Sequence, residues 1–309
     1  SRSQPVSSQP VIRLGTRASQ LAMWQSNWVK AQLEGLGVSV KLIPIRTEGD
    51  TNRASLKQIG GQGVFTKRLQ DALLENEIDL AVHSLKDLPT QDHPGLKIAA
   101  IPERESTADA LISPEYSDLA SLPDQATVGT GSVRRAAQLL HVRPDLNMVD
   151  IRGNVDTRLK KLNNDNLDAI VLACAGLYRL SLQDAISQEF TPDIVMPAVG
   201  QGALGLEIRS DDEHSLQWVE HLNHPDSFQR AISERSMLAR LFAGCLAPVG
   251  CCTQFENGQL IIEGVVLSPD GKTRIYAKAA KDPQHYRELG IEVAEKLLAS
   301  GAEPILQRL

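Results

Sequence analysis

Asp79-Leu80-Ala81-Val82-His83-Ser84-Leu85-Lys86-Asp87-Leu88-Pro89-Thr90 runs from an apolar stretch directly into His, Lys and Asp. A short apolar run bounded by polar residues reads as a buried strand over 79–82. Polar groups that leave such a strand in an α/β fold stand where ligands bind, outside the carboxyl ends of parallel strands. Pro89 has no backbone N–H, which keeps Asp87 and Leu88 from continuing into regular structure. The plainer alternative is a polar loop with a surface Lys–Asp pair, since exposed charges after a strand are common.

Outward from this stretch, strand and helix patterns alternate. Residues 11–14, a helix over 18–36 ending at Gly37, and residues 38–45 have the order of a βαβ unit, which implies a parallel sheet. After the Gly60-Gly61-Gln62-Gly63 turn, read as a flexible loop or lid, residues 64–76 place Phe65, Leu69, Ala72 and Leu73 on one helical face. Residues 96–101 form another strand. A second α/β unit follows, with strands at 109–112, 127–129, 147–151 and 168–173 and helices at 133–141 and 155–162. Crossings near 102–109 and 191–201 link the units, and 203–208 is a strand that rejoins the first sheet.

The expected fold is therefore α/β, with two lobes like those of periplasmic binding proteins, a hinge, and a cleft suited to closing over a ligand. A small α+β domain completes it, with helices at 228–242 and 284–299 and strands at 259–267 and 273–280. This gives a disordered tail over 1–10 and a first domain over 11–102 with 200–220. A second domain covers 108–196, with an arginine-rich face, and a third covers 225–309.

The 309 residues, 42% of them hydrophobic, suffice for two or three domains. A net charge of −6 argues against a nucleic-acid partner. Residues 127–180 depart from that balance with eight basic and five acidic side chains, so the rest of the chain carries −9 and this segment is a basic island. Cys174, Cys245, Cys251 and Cys252 have neither disulfide density nor a C-x-x-C spacing, which fits a reducing compartment. No apolar run reaches membrane-spanning length and the first ten residues lack a signal-peptide core, so a cytoplasmic protein is expected. A plastid protein is the alternative if a transit segment has been removed.

Thr130-Gly131-Ser132-Val133-Arg134-Arg135 follows one expected strand and opens a helix, so its hydroxyls and backbone N–H groups suit an anion. Two arginines in a first turn oppose the helix dipole, which makes sense if an anion compensates for them. Arg152-Gly153-Asn154, with Arg158 beyond it, repeats the arrangement, and Arg179 follows a third strand. Singly each arginine reads as a solvated surface residue; their repetition reads as a site for a ligand with several carboxylates or phosphates. Guanidinium forks suit carboxylates, and no phosphate-loop motif is present. Gly15-Thr16-Arg17-Ala18-Ser19 adds an arginine and a hydroxyl at the first strand-to-helix turn. Cys245 lies in a glycine- and proline-constrained loop after the 228–242 helix, where a helix C-terminus does not favour a thiolate.

Together, Gly15-Thr16-Arg17-Ala18-Ser19, residues 81–90, Gly131-Ser132-Val133-Arg134-Arg135, Ile151-Arg152-Gly153-Asn154-Val155, Pro197-Ala198-Val199-Gly200-Gln201-Gly202-Ala203 and Gly244-Cys245 resemble the porphobilinogen deaminase family over residues 11–309. The resemblance implies a monomeric transferase of tetrapyrrole biosynthesis, cytosolic or plastid, with no nucleic-acid or membrane partner and no metal. It implies that Cys245 carries a dipyrromethane through a thioether and that four porphobilinogen molecules are joined head to tail with loss of ammonia. Water then releases hydroxymethylbilane.

On this resemblance Asp87 is the catalytic residue, a carboxylate able to accept from pyrrole N–H groups and stabilise the cation formed as ammonia leaves. Lys86, Asp87, Thr130, Ser132, Arg134, Arg135 and Gln201 are the expected cofactor contacts. Arg17, Ser19, Arg152, Arg158 and Arg179 are the expected substrate contacts. Two places depart from the family pattern: Gln62 stands where a lysine is common, and Ala243-Gly244-Cys245-Leu246-Ala247-Pro248 replaces Gly-Gly-Cys-Gln-Val-Pro. The competing reading is a non-catalytic two-lobed binder of polycarboxylates, which explains the arginines but gives no reason for Cys245 or Asp87.

Overall fold

The computed structural model describes residues 10–47, 61–241 and 248–307. The chain begins with β1 (Val11–Thr16), α1 (Gln20–Gly35), β2 (Ser39–Pro44), α2 (Gly61–Leu74), β3 (Leu80–Ser84), a 3-10 turn over Leu85–Asp87, and β4 (Leu96–Ala100). It continues with β5 (Asp109–Ile112), β6 (Thr127–Gly129), α3 (Val133–Val142), β7 (Asn147–Val149), α4 (Val155–Asn164), β8 (Ala169–Ala173), α5 (Cys174–Arg179) and β9 (Gln188–Glu189). The last third comprises β10 (Leu204–Arg209), α6 (Glu213–Val219), α7 (Pro225–Leu241), β11 (Val249–Glu256), β12 (Gln259–Leu267), β13 (Arg274–Lys281), α8 (Tyr286–Leu297) and α9 (Glu303–Gln307).

One compact unit is built from Ser1–Pro102 with Leu204–His224. Its sheet has the order β2-β1-β3-β10-β4, with β1 parallel to both neighbours and β10 antiparallel to β3 and β4. The sheet is thus mixed rather than parallel, because the returning strand enters between β3 and β4 and runs against both. Val29 and Leu33 of α1 cover one face, packed with Ile12, Leu14, Leu80 and Leu206. Each such aliphatic side chain contributes roughly 1.5–3 kcal/mol by leaving water. On the other face Leu69, Ala72 and Leu73 of α2 pack against Ile78 and Ala81, as the helical periodicity of 64–76 requires. Gly61 and Gly63, expected in a loop, lie in the first turn of α2. Glycine costs a helix only about 1 kcal/mol per residue, and the apolar face anchoring α2 outweighs that.

The second unit comprises Glu103–Ala203 and Pro225–Leu309. Its larger sheet, β7-β6-β8-β5-β9, is also mixed: β6 is parallel to β7 and β8, whereas β5 runs against β8 and β9. A separate antiparallel sheet, β11-β12-β13, buries Leu260, Ile262 and Val266 against Met237 of α7 and Leu289, Val293 and Leu297 of α8. Val265 and Leu267, pointing the other way from β12, pack on Ala137 of α3 and Met196. Helix α7 starts at Pro225, three residues before the expected boundary, where the missing N–H of proline costs no helical hydrogen bond.

The two crossover segments are bonded to each other. Glu105 N donates to Gly202 O at 3.1 Å, and Gln201 Nε2 donates to Thr107 O at 2.6 Å. Gly202 has φ of +83°, and a side chain there would collide with the carbonyl oxygens of Glu105 and Ser106, so only glycine fits.

Candidate active site

In the first unit, β1 and β3 are adjacent and parallel, so the residues that follow them leave the same edge of the sheet. Arg17 and Ser19 follow β1; Lys86 and Asp87 follow β3. The strand runs two residues beyond its expected end at 82 and passes into the 3-10 turn, closed by Leu88 N donating to Leu85 O at 3.1 Å. Pro89 therefore does not prevent one turn of regular structure from forming around Asp87. Leu85 and Leu88 are buried, and between them Lys86 is exposed and Asp87 half-buried. The two buried leucines anchor the turn, with Lys86 on its exposed side. Arg17 stacks with its guanidinium carbon 3.4 Å from the Phe65 ring centroid, a cation–π contact that fixes the fork over α2. Ser19 caps α1, its Oγ accepting from Ala22 N at 3.3 Å.

In the second unit the Thr130–Arg135 turn closes on itself. Thr130 Oγ1 accepts from Ser132 N at 3.1 Å, and Ser132 Oγ caps α3 by accepting from Arg135 N at 3.2 Å. A side chain at Gly131 would stand 2.7 Å from Ile151 O, so glycine lets this turn press against the next one. Arg134 and Arg135 are buried, at 6% and 5% exposure, and both bind Asp109, which is 0% exposed. Arg134 Nη1 donates to Asp109 Oδ2 at 2.7 Å, and Arg135 Nε and Nη2 reach Asp109 Oδ1 at 2.9 and 2.8 Å. Gln201 Nε2 donates to the same Oδ1 at 3.1 Å. Burial pushes the Arg134 pKa down from its usual value despite the attraction of Asp109.

An anion beside the two arginines is thus supplied by the chain itself, from Asp109, a residue absent from the expectations. Its signal is an acid heading the apolar strand Asp109-Ala110-Leu111-Ile112, a position an ionised carboxylate occupies only with partners. The three groups together carry one more positive than negative charge.

The remaining arginines are dispersed. Arg152 lies near Asp150, Nε to Oδ1 3.2 Å, with its side chain 65% exposed. Arg158 sits half-buried on α4, whose Asn154 cap accepts from Thr157 N at 2.9 Å. Arg179 closes the last turn of α5 instead of following β8 directly, and its Nη2 donates to Gly202 O at 2.9 Å. Burial lowers its pKa as well. The structure gathers Arg134, Arg135 and Gln201 around one buried carboxylate, keeps Thr130 and Ser132 in the turn that opens α3, and leaves Arg152 at the surface.

Cys245 lies outside the described residues. Cys174 begins α5, and burial pushes its thiol up to about 12. Burial also raises the thiols of Cys251 and Cys252, so none of these three is an activated nucleophile. Among the described residues no group of three His, Cys, Asp or Glu could hold a metal ion, and no helix is long and apolar enough to cross a membrane.

Residues 12–217 match the family described as "Porphobilinogen deaminase, dipyromethane cofactor binding domain", and residues 228–299 match "Porphobilinogen deaminase, C-terminal domain". The chain is 49% identical over 300 residues to the porphobilinogen deaminase of Pelotomaculum thermopropionicum, covering 96% of each. It is 46% identical over 298 residues to that of Geobacter sulfurreducens, covering 96% of this chain and 93% of the relative. Among solved structures it is similar to a nutrient binding protein from Burkholderia cenocepacia bound to methionine, with TM-score 0.43 and 14% identity, over 74% of this chain and 95% of that one.

Proposed function

The chain belongs to the porphobilinogen deaminase family, and on that premise we propose that Asp87, Cys245 and the arginines around Asp109 carry out a head-to-tail condensation of four porphobilinogen molecules. It is an enzyme of tetrapyrrole synthesis with a dipyrromethane cofactor. The finer reading is a transferase that releases hydroxymethylbilane by hydrolysis.

Two buried guanidiniums sharing one carboxylate form a donor set that fits a polycarboxylate cofactor: the forks are preorganised and one positive charge remains to be balanced. Arg134 and Arg135 would hold its carboxylates, with Thr130 and Ser132 shaping the turn beside them and Gln201 bonded to Asp109, and Cys245 of the C-terminal domain would be its covalent attachment. When bound, the dipyrromethane supplies the pyrrole to which the first substrate is joined.

Lys86 and Arg17 orient substrate carboxylates at the edge of the first sheet, Arg17 with its fork held by Phe65. Ser19 follows the same strand as Arg17, and in the second unit Arg152, Arg158 and Arg179 would be further contacts for substrate carboxylates. Asp87 accepts hydrogen bonds from pyrrole nitrogen and stabilises the positive charge that develops on the substrate as ammonia departs, without having to leave its turn. The observation that carries the proposal is this half-buried carboxylate, offered from an anchored turn at the carboxyl edge of parallel strands.

Family membership leaves the non-catalytic binder without support. The net charge of −6 supports a reading without nucleic acid, and sedimentation checks the monomeric state. The experiment for the reaction is intact mass under denaturing conditions together with turnover. The purified protein should carry covalent excess mass equal to two linked pyrrole units, lost in Cys245→Ser along with activity. Bare sequence mass in a reconstituted, active protein would overturn the proposal.

A further inference from the structure

His83 and Glu207 form a buried polar pair inside an apolar sheet face. His83 Nε2 lies 2.9 Å from Glu207 Oε1, with side chains 3% and 5% exposed. The pairing explains the meeting: Ala81 lies opposite Glu207 and His83 opposite Gly205, so both side chains project from the face of the sheet that α2 covers. Gln70 of α2 donates to the other oxygen, Glu207 Oε2, at 3.1 Å. One carboxylate therefore ties β10, β3 and α2 together.

The next residue on that side of the chain is held by shape. Gly205 leaves room for Leu85, the first residue of the 3-10 turn and 1% exposed; a side chain at 205 would stand 2.8 Å from Leu85 Cδ1. On the opposite face Gln25 of α1 bonds Ser84 Oγ at 3.4 Å. The root of the turn is gripped from both faces of the sheet immediately before Lys86 and Asp87. A buried pair of this kind is weak support for stability, since apolar residues of similar size fill such sites at no net cost; its physical use is to specify one arrangement.

We infer that His83 and Glu207 are positioning residues, which hold the Leu85–Asp87 turn so that Asp87 meets the substrate in one geometry. Gln70 makes α2 part of the same clamp. The inference rests on the role proposed for Asp87. Small displacements of a catalytic group are costly, with about 1 Å worth on the order of 100-fold in rate.

The test is the double variant His83→Leu/Glu207→Met, which removes both polar partners and leaves no buried charge. It should melt within a few degrees of the parent and carry the normal covalent excess mass. Its kcat should nevertheless fall about 10-fold or more with KM changed less than about twofold, the pattern for an interaction lost only in the transition state. Amide exchange at Leu88, whose N–H closes the turn onto Leu85 O, should quicken about 10-fold, a readout independent of turnover. Should the double variant not fold, Gln70→Ala at a half-buried position carries the test, with a smaller loss of kcat in the same direction. Parent kcat and unchanged Leu88 exchange in the variant that folds would overturn the inference. Asp87→Asn separates the two readings: if it keeps full turnover the assignment of Asp87 fails, whereas an inactive Asp87→Asn beside a fully active clamp variant removes only the clamp.

Discussion

Arg104 and Glu234 form a two-pronged ion pair, Nη1 to Oε2 at 2.7 Å and Nη2 to Oε1 at 2.8 Å, with each side chain 1% exposed. Arg104 stands in the first crossover, where its Nε also donates to Gln201 O at 2.8 Å. Glu234, on α7, accepts in addition from Gly200 N at 3.0 Å and Thr253 Oγ1 at 2.6 Å. Desolvation pushes the Glu234 carboxyl up, but Arg104 and these donors outweigh it and hold the pKa below its usual value. The pair fastens both crossover segments to the helix that runs to Leu241, just before the segment containing Cys245.

Removing one member should leave an uncompensated buried charge. Arg104→Met is expected to destabilise the protein by about 3–5 kcal/mol, whereas Arg104→Met/Glu234→Leu should recover most of that loss. Urea denaturation of the two variants makes the comparison. Equal stability of the single variant and the parent would show the pair to be energetically idle.

Asp79 governs part of the acid response. Burial raises its pKa, but hydrogen bonds from Arg13 and Arg209 outweigh that and bring it to about 2, from a usual value of 3.8. A depressed folded pKa gives stability that is complete above the unfolded value and is lost as pH falls through the folded one. About 1–2 kcal/mol, allowing for solvent screening, should disappear between roughly pH 4 and pH 2. In Asp79→Asn the denaturation midpoint should fall less steeply over that window; an identical slope in both proteins would remove Asp79 from the acid response.

Asp87→Asn should lower kcat by about 100- to 1,000-fold, the range seen when one group stabilising transition-state charge is removed. The melting temperature should stay near that of the parent, because Leu85 and Leu88 anchor the turn by burial and asparagine keeps the size and an acceptor oxygen of the aspartate side chain. Single-turnover release of ammonia reads the chemical step directly, and a normal rate would exclude Asp87 from it.

Arg135→Leu and Arg152→Ala should behave differently although both remove an arginine from the cationic set. The first strips two contacts from the buried Asp109, so a stability loss of about 1–3 kcal/mol and a reduced fraction carrying the covalent excess mass are expected. The second acts at a side chain 65% exposed, so stability should stay within about 0.5 kcal/mol while KM rises. Intact mass, urea titration and steady-state kinetics on the pair decide it; matching profiles would show that burial does not separate their roles.

Much of this molecule was legible one residue after another. The apolar run at 79–82, the helical face of Phe65, Leu69, Ala72 and Leu73, and the Ser132 turn before two arginines were all marked by neighbours in the chain, and each took its expected element. The Gly61–Gly63 segment misled because glycine content signals a loop only where packing does not decide the matter. Arg179 misled because α5 begins within the apolar run and carries the arginine to a helix end.

The sequence by itself determined the α/β alternation, the basic island and the strand that delivers Asp87, because periodicity, caps and local charge are written in adjacent residues. Only the tertiary structure decided that β10 would enter the first sheet against its neighbours and bring Glu207 to His83 across 124 positions. It also decided that Asp109 would claim Arg134 from 25 residues away and that Glu234 would reach Arg104 across 130. A charge taken out of water must find its partner by position in space, and spacing along the chain carries no record of which returning strand or helix will supply it.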